Sequence, residues 1–331
     1  MKKNKKLLVI LLVALLTLTG CTKQFKDAEG KVVQDEKTKQ TLVENILCQP
    51  EELRDVYEDA IKQKKKDYKQ MYEDGDLSKN DYKKKTKNIL DIDKLPVCTE
   101  FSAFEGGYET LWSSVFIKPL AWVIVSLGKL LWNNYGLAII VITILIKLVL
   151  FPVTQKSLKQ SENIQKAQPK LNRIEKKYAN KTDQESMMMK SNEMMAVYKE
   201  YKINPMSGCL LSFLQIPLFF AFYEALNRLP ILFEGKFLWF HMGMTPLAAA
   251  GEGYWYYLIL PIIVGLVTYF SFKMNNNNMN GEQAKQMKMM FNIMIVMIFV
   301  TSFSMSVAII IYWITNSILA ILQNLLIKRS K

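Results

Sequence analysis

From Leu111 onward, apolar stretches of roughly 20 residues recur along the chain, separated by short polar segments. A helix rises about 1.5 Å per residue and the hydrocarbon core of a bilayer is about 30 Å thick, so these runs have the length a membrane-crossing helix needs. The chain reads as an all-α polytopic membrane protein. Residues 135–153, 208–229 and 255–272 supply three spans. Residues 287–327 would reach about 60 Å as one helix, twice the hydrocarbon thickness, and must fold back. The polar residues Thr301, Ser302, Ser304 and Ser306 mark the reversal, giving spans 287–303 and 306–327.

The segment 112–132 is also apolar, but Lys118, Pro119 and Lys129 interrupt it and Trp112, Trp122 and Trp132 recur along it. An amphipathic helix in the outer interface is expected, with a sixth span as the competing reading. Five spans place the N-terminus outside and the C-terminus in the cytoplasm. Charge agrees: residues 154–205 hold 11 Lys/Arg against 6 Asp/Glu, and Lys273, Lys285, Lys288, Lys328, Arg329 and Lys331 fall on the same side. On the other side, Trp239, Phe240, Trp255, Tyr256 and Tyr257 make an aromatic belt.

Residues 1–20 have a basic start, an apolar core and small residues before Cys21, the form of a lipoprotein signal peptide with Cys21 lipidated as the mature N-terminus. An uncleaved anchor with an incidental cysteine is the alternative. Removal of 1–20 takes four lysines and no acid from a formal charge of +13. Residues 21–110 then form a lipid-anchored extracytoplasmic region, dense in charge at 17 Lys/Arg against 20 Asp/Glu over 22–110. Two polar amphipathic helices are expected there, at about Pro50–Glu73 and Ser78–Leu90, joined at Asp74-Gly75-Asp76. If they pair antiparallel, Cys48 and Cys98 approach one another in an oxidising compartment, and a disulfide is the expected outcome, against two unpaired thiols. Cys209, at the inner end of the second span, reads as structural.

Residues 157–202 read as a cytoplasmic helical hairpin. Ile164, Ala167, Leu171, Ile174 and Tyr178 form one stripe, Met187, Met194, Tyr198 and Tyr201 another, and Thr182-Asp-Gln-Glu185 has the form of a capping box. Met187, Met188, Met194 and Met195 are either plain packing or an adaptable surface for apolar segments.

Signs of catalysis are weak. There is one histidine, His241, and no phosphate loop, paired intramembrane carboxylates or Cys/His metal spacing stands out, so an enzyme, a metal and a cofactor are not implied. Intramembrane polarity is more informative. Lys147 lies ten residues after Leu137, about 15 Å along a helix, at a depth where charge is costly unless it faces a wet cavity or a partner. Snorkelling of its long stem is the alternative. Thr143 stands one turn above it on the same face. Gln215, Tyr223, Glu224, Asn227, Thr268, Ser271, Asn292, Thr315, Asn316, Ser317, Gln323 and Asn324 are further polar groups within the spans.

Three stretches, YGLAIIVITILIKLVLFPVTQKS at 135–157, NPMSGCLLSFLQIPLFFAFYEAL at 204–226 and YWITNSILAILQ at 312–323, resemble the YidC/Oxa/Alb family of membrane protein insertases, over roughly residues 111–331. The hairpin, five spans and lipobox suit the lipoprotein-type bacterial members. The resemblance implies a hydrophilic groove in the inner half of the bilayer, open to cytoplasm and lipid and closed outward. Lys147 takes the place of the family's usual arginine there, keeping the charge and losing the guanidinium fork. Trp313 matches the groove-lining aromatic, Gln215 and Pro217 match the Gln-x-Pro of the second span, and Thr143, Ser271 and Asn316 join the candidate lining. Ser306 and Ala308 replace the family's usual Pro and Gly, and Asn316 stands one position early.

Implied partners are nascent membrane proteins, the Sec translocon, membrane lipids and the ribosome, without sequence-specific nucleic-acid binding. After Ile327 the tail is only Lys-Arg-Ser-Lys, so ribosome contact would rest on the hairpin and short loops. Two rival classes stand beside this reading. A small-molecule transporter would also use an intramembrane charge, although the spans show no repeated halves. A lipoprotein binding module would use its spans as an anchor only.

Overall fold

A computed structural model describes residues 22–36, 38–104, 109–204, 207–276 and 282–329, with side chains at all of these except 161, 207–214, 275–276, 282–287, 290 and 328–329. Residues 1–20, where a signal peptide is expected from the sequence, Cys21 with its expected lipidation, and the side chain of Cys209 lie outside the described residues. The described chain is mostly helical and forms two compact units. One comprises the described residues up to Ile142 with Pro217–Leu258 and Ser304–Ile311; the other comprises Thr143–Ile216, Ile259–Phe303 and the residues from Tyr312 onward.

The first unit opens with extended chain. Isolated antiparallel bridges join Gln24 to Val43, Lys26 to Val32 and Gln34 to Thr41, so the polar region is not helical throughout. Val32, Val33, Thr38, Thr41 and Val43 are β-branched and favour extended chain over helix in this stretch, which precedes the two helices expected from the sequence. Helices α1 (Arg54–Glu73) and α2 (Lys79–Lys87) follow. Gly75, at φ +88, turns the chain between them, and the Ser78 hydroxyl accepts from the Asp81 amide at 3.1 Å to cap α2. Tyr57 and Ile61 of α1 pack with Phe25, Leu42, Val43, Ile46, Ile89 and Ile92 in one apolar core. The Tyr57 hydroxyl donates to the Val43 carbonyl at 3.1 Å and accepts from its amide at 3.0 Å; burial raises its pKa. Cys48 and Cys98 are joined by a disulfide with Cα atoms 4.7 Å apart.

A single π-helical turn, Ser113–Ile117, leads into α3 (Lys118–Leu130). Ile117, Ala121, Ile124, Val125 and Gly128 form a buried stripe at helical spacing, and Lys118, 3% exposed, is buried with them. Together Ser113–Leu130 are long and apolar enough to cross a membrane, as are Trp255–Met274 and Val307–Ile327. Helix α4 (Tyr135–Val149) stops at Leu150, and α5 (Phe151–Lys177) departs at 59°; only together are the two long and apolar enough to cross a membrane. Pro152 explains the break, because it has no N–H to return to the Leu148 carbonyl.

Helix α5 and α6 (Gln184–Glu200) pack as a hairpin in the second unit. Asp183 caps α6, its carboxylate accepting from the Ser186 amide at 2.8 Å, one residue later than the capping-box pattern starting at Thr182. The seam is Ala167, Leu171, Met194, Val197 and Ile203. Met187, Met188, Met189 and Met195 are exposed while Met194 is 9% exposed, so Met194 belongs to the packing and not to the open methionine surface.

Helices α7 (Ser207–Asn227) and α8 (Pro230–Glu234) precede a two-stranded hairpin, β1 (Lys236–Phe237) with β2 (Phe240–His241), then α9 (Pro246–Gly251). Gly136 of α4 lies against the Phe237 ring, where a Cβ would overlap it. A 3-10 turn, Trp255–Leu258, enters α10 (Ile259–Asn276); α11 (Glu282–Ser302) and α12 (Val307–Arg329) complete the chain. Ile262, Leu266 and Phe270 of α10, Met289, Ile293, Val296 and Val300 of α11, and Ile318, Leu322 and Leu325 of α12 are exposed in apolar strips. Water would penalise such strips and hydrocarbon would not.

Candidate functional site

Thr143 and Lys147 stand four residues apart on α4, hence on one helical face. Thr143 is 2% exposed and Lys147 is half-buried. Among the described residues no carboxylate pairs with Lys147, and no acid occurs anywhere in α4, α10 or α12. A charge so placed keeps its solvation through water or through a visiting anion.

The second unit also holds hydrogen-bonded polar side chains from three further helices, one of which reaches the lysine's backbone. Gln323 of α12 donates from Nε2 to the Lys147 carbonyl at 3.2 Å. The Trp313 indole N–H donates to Thr268 Oγ1 of α10 at 3.0 Å, and Gln215 Nε2 of α7 donates to the Tyr312 hydroxyl at 3.5 Å. Tyr312, Asn316 and Gln323 recur four and seven residues apart, a single stripe on α12. Two acceptors on that stripe, Asn316 Oδ1 and Gln323 Oε1, are buried with no partner among the described residues. Ser271 is half-buried one turn beyond Thr268. All six candidate lining residues named from the sequence, Lys147, Thr143, Gln215, Trp313, Ser271 and Asn316, thus belong to one unit. Thr268, named from the sequence only as a polar group within a span, and Tyr312, not singled out there, join them as hydrogen-bond partners.

A different cluster, in the first unit, was missed altogether. Arg228, 2% exposed, follows the end of α7. Its Nε donates to the Asn45 carbonyl at 2.6 Å, Nη1 to Ser113 Oγ at 3.0 Å, and Nη2 to both oxygens of Glu109 at 2.8 Å. The Ser113 hydroxyl donates to Glu109 Oε2 at 2.8 Å. Burial pushes the Glu109 carboxyl upward, but the Arg228 guanidinium and the Ser113 hydroxyl outweigh it and hold the pKa below the usual value. Nearby, Glu234 Oε1 accepts from the amides of Glu51 and Leu53 at 2.9 and 3.0 Å; burial outweighs those bonds and raises its pKa. These contacts tie the extended N-terminal chain and the start of α1 to the segment after α7. Burial lowers the pKa of His241, whose backbone amide donates to the Tyr257 hydroxyl at 2.7 Å within the aromatic cluster of Phe240, Tyr256 and Tyr257. No group of three metal-ligating side chains occurs among the described residues.

The sequence matches the model of the 60Kd inner membrane protein family over residues 127–331. It is 34% identical over 238 residues to the membrane protein insertase YidC of Oceanobacillus iheyensis, covering 70% of this chain and 90% of that one. It is 36% identical to YidC of Alkalihalophilus pseudofirmus, over 65% of this chain and 81% of the relative. The membrane protein insertase MisCA of Bacillus subtilis is likewise 36% identical, over 66% and 79%. With a family model spanning the polar stripe and the helices that carry it, and relatives aligned over most of their own length, this chain belongs to the YidC/Oxa/Alb family, the 60Kd inner membrane proteins.

Proposed function

We propose that this protein integrates nascent membrane proteins into a bacterial cell membrane and assists their folding, alone or beside the Sec translocon. Its core is residues 111–331, with five spans, the hairpin 157–202 facing the cytoplasm, and the lipid-anchored region 21–110 outside, held at Cys21. Segment 112–132 packs one face inward and lies at the outer interface. The relatives are named as insertases, and one observation in this chain supports the same role: Lys147 is half-buried with no carboxylate partner among the described residues, in a unit that also gathers Thr143, Gln215, Ser271, Trp313 and Asn316.

The physical logic follows from solvation. A short polar segment entering hydrocarbon loses several kcal/mol for each polar group left unsatisfied. A groove wetted by polar side chains shortens the dry path, and a cation part-way attracts carboxylates. Burial of the substrate's own apolar span then drives the step without a nucleotide, at about 25 cal/mol per Å². The exposed methionines Met187, Met188 and Met195 meet the substrate first, their flexible thioethers accommodating varied apolar faces.

The test uses reconstituted vesicles and small model substrates with acidic outer segments, read by protease accessibility. Lys147→Ala should lower insertion roughly tenfold, the equivalent of about 1.4 kcal/mol of lost attraction. Lys147→Arg should insert as well as wild type. Undiminished insertion by Lys147→Ala would reject the groove-charge mechanism, and uptake of a small solute by the same vesicles would favour a transporter.

A further inference from the structure

Helices α10 and α11 pack side by side. Where the apolar stretch of α10 ends, they frame a pocket whose lining includes Tyr269, Phe272, Lys273, Lys288, Phe291 and Asn292. The lining has two chemistries. Lys273, Lys288 and Asn292 are exposed donors, and among the described residues no acidic side chain lines the pocket and neither lysine has an ion pair. Lys273 reaches over the Tyr269 ring at 5.4 Å, and Phe272 and Phe291 lie with ring centroids 5.3 Å apart, forming an aromatic wall.

We propose that this pocket binds the phosphodiester headgroup of an anionic membrane phospholipid, with Lys273 and Lys288 on the phosphate, Asn292 hydrogen-bonded to it, and the Phe272–Phe291 wall against the first carbons of the chains. Three features select a lipid over a free anion. Both lysines sit at the margin of apolar helix: Lys273 in the last turns of the stretch Trp255–Met274, and Lys288 just before the apolar run Phe291–Ser302. Lipid phosphates occupy that level of a bilayer. The aromatic wall would gain nothing from inorganic phosphate but would bury against glycerol and acyl carbons. The exposed apolar strip of α11, Ile293, Val296 and Val300, continues from the pocket and gives the chains a surface to follow. This inference needs α10 and α11 to cross the bilayer and is otherwise independent of the insertion mechanism.

The test is native mass spectrometry of the full chain in detergent, titrated with phosphatidylglycerol, with phosphatidylcholine, and with phosphatidylglycerol in the presence of inorganic phosphate. Wild type should prefer phosphatidylglycerol. The double variant Lys273→Gln/Lys288→Gln should bind it roughly thirtyfold more weakly, as expected for two lysines lost beside an anionic headgroup. Lys273→Arg/Lys288→Arg should retain binding, which separates lost charge from lost fold, and the exposed hairpin pair Lys166→Gln/Lys176→Gln should leave it unchanged. Equal binding by the Lys273→Gln/Lys288→Gln protein, or no preference for phosphatidylglycerol over phosphatidylcholine, overturns the proposal. Displacement of the lipid by inorganic phosphate at comparable concentration also overturns it, by showing a site for free phosphate.

Discussion

Arg228 is the residue whose replacement tests the first unit most directly. Its guanidinium serves three acceptors from two distant parts of the chain: the Asn45 carbonyl in one, and the Ser113 hydroxyl and the Glu109 carboxylate, four residues apart, in the other. Each hydrogen bond to a charged group contributes about 1.5–3 kcal/mol, and removing one partner of a buried pair costs about 3–5 kcal/mol. The Glu109 side chain is 38% exposed, so water can re-solvate it once its partner is gone. That places Arg228→Gln at the low end, about 3 kcal/mol, or roughly a hundredfold in the local opening equilibrium. The Leu47 amide reports the opening, because it donates to the Arg228 carbonyl at 2.8 Å. Its hydrogen-exchange protection in the full-length protein should fall roughly a hundredfold. Wild-type protection at Leu47 in Arg228→Gln would refute the network as a fastening of this unit.

The same network carries a pH dependence of defined sign. The Glu109 pKa is lower in the folded protein than its ordinary 4.5, so the unfolded chain binds more protons around and below that pH. The stabilisation is fully present above pH 4.5 and is lost as pH falls through the lowered folded value. Glu234, whose pKa burial raises, acts in the opposite direction. The measurement is therefore the difference in Leu47 protection between wild type and Glu109→Gln. It should be constant from pH 7 to pH 5.5 and shrink below pH 4.5; a difference that grows on acidification would contradict the assignment.

Further outcomes follow from other residues. The Cys48–Cys98 bond spans 50 residues, and Cys48→Ser/Cys98→Ser should destabilise the region by up to about 4 kcal/mol, read as earlier tryptic cleavage of α1 and α2. Met194→Ser should loosen the hairpin seam by about 2 kcal/mol, visible as faster exchange across α6. Met187→Ser/Met188→Ser should leave that exchange unchanged and reduce crosslinking of the hairpin to nascent chains. Asn316→Leu should raise the thermal stability of the detergent-solubilised protein by about 1 kcal/mol and lower insertion, since it removes a buried acceptor that has no partner among the described residues.

The helical class was legible because apolar run length is a local property of sequence. Family membership was legible because three contiguous motifs carry it. The polar stripe could be read residue by residue wherever its members share one helix: Thr143 with Lys147 is a spacing of four. What joins helices was not legible. Arg228 and Glu109 lie 119 residues apart, and neither has a neighbour in sequence that announces the other. Trp313 with Thr268, and Gln215 with Tyr312, likewise depend on tertiary approach. Met194 looked like its methionine neighbours by composition, and only the packing of α5 on α6 separates it from them. In sequence Lys118 only interrupts an apolar segment; in the fold it is buried, its charge lowering the pKa of the Glu109 carboxyl.

The polar groups that share a unit with Lys147 are costly in a way that discriminates between explanations for them. A stripe kept only to hold helices together would pair its members, because each buried acceptor without a donor costs about 1–3 kcal/mol. Two of the pairs do that: Trp313 with Thr268, and Gln215 with Tyr312. Asn316 Oδ1 and Gln323 Oε1 do not, and both belong to the same face of α12. Gln323 Nε2 donates to the Lys147 backbone carbonyl, which brings this face of α12 against α4 at the lysine. Unpaired acceptors of this kind are tolerated where water or a substrate serves them. A lysine among them is a mobile point charge, able to follow a carboxylate through several positions where an arginine fork would hold it in one. Substitution of Lys147 by Arg should therefore preserve the rate of insertion while sharpening dependence on where the acidic residue stands in the substrate. Equal dependence on that position for both side chains would show that the charge alone matters.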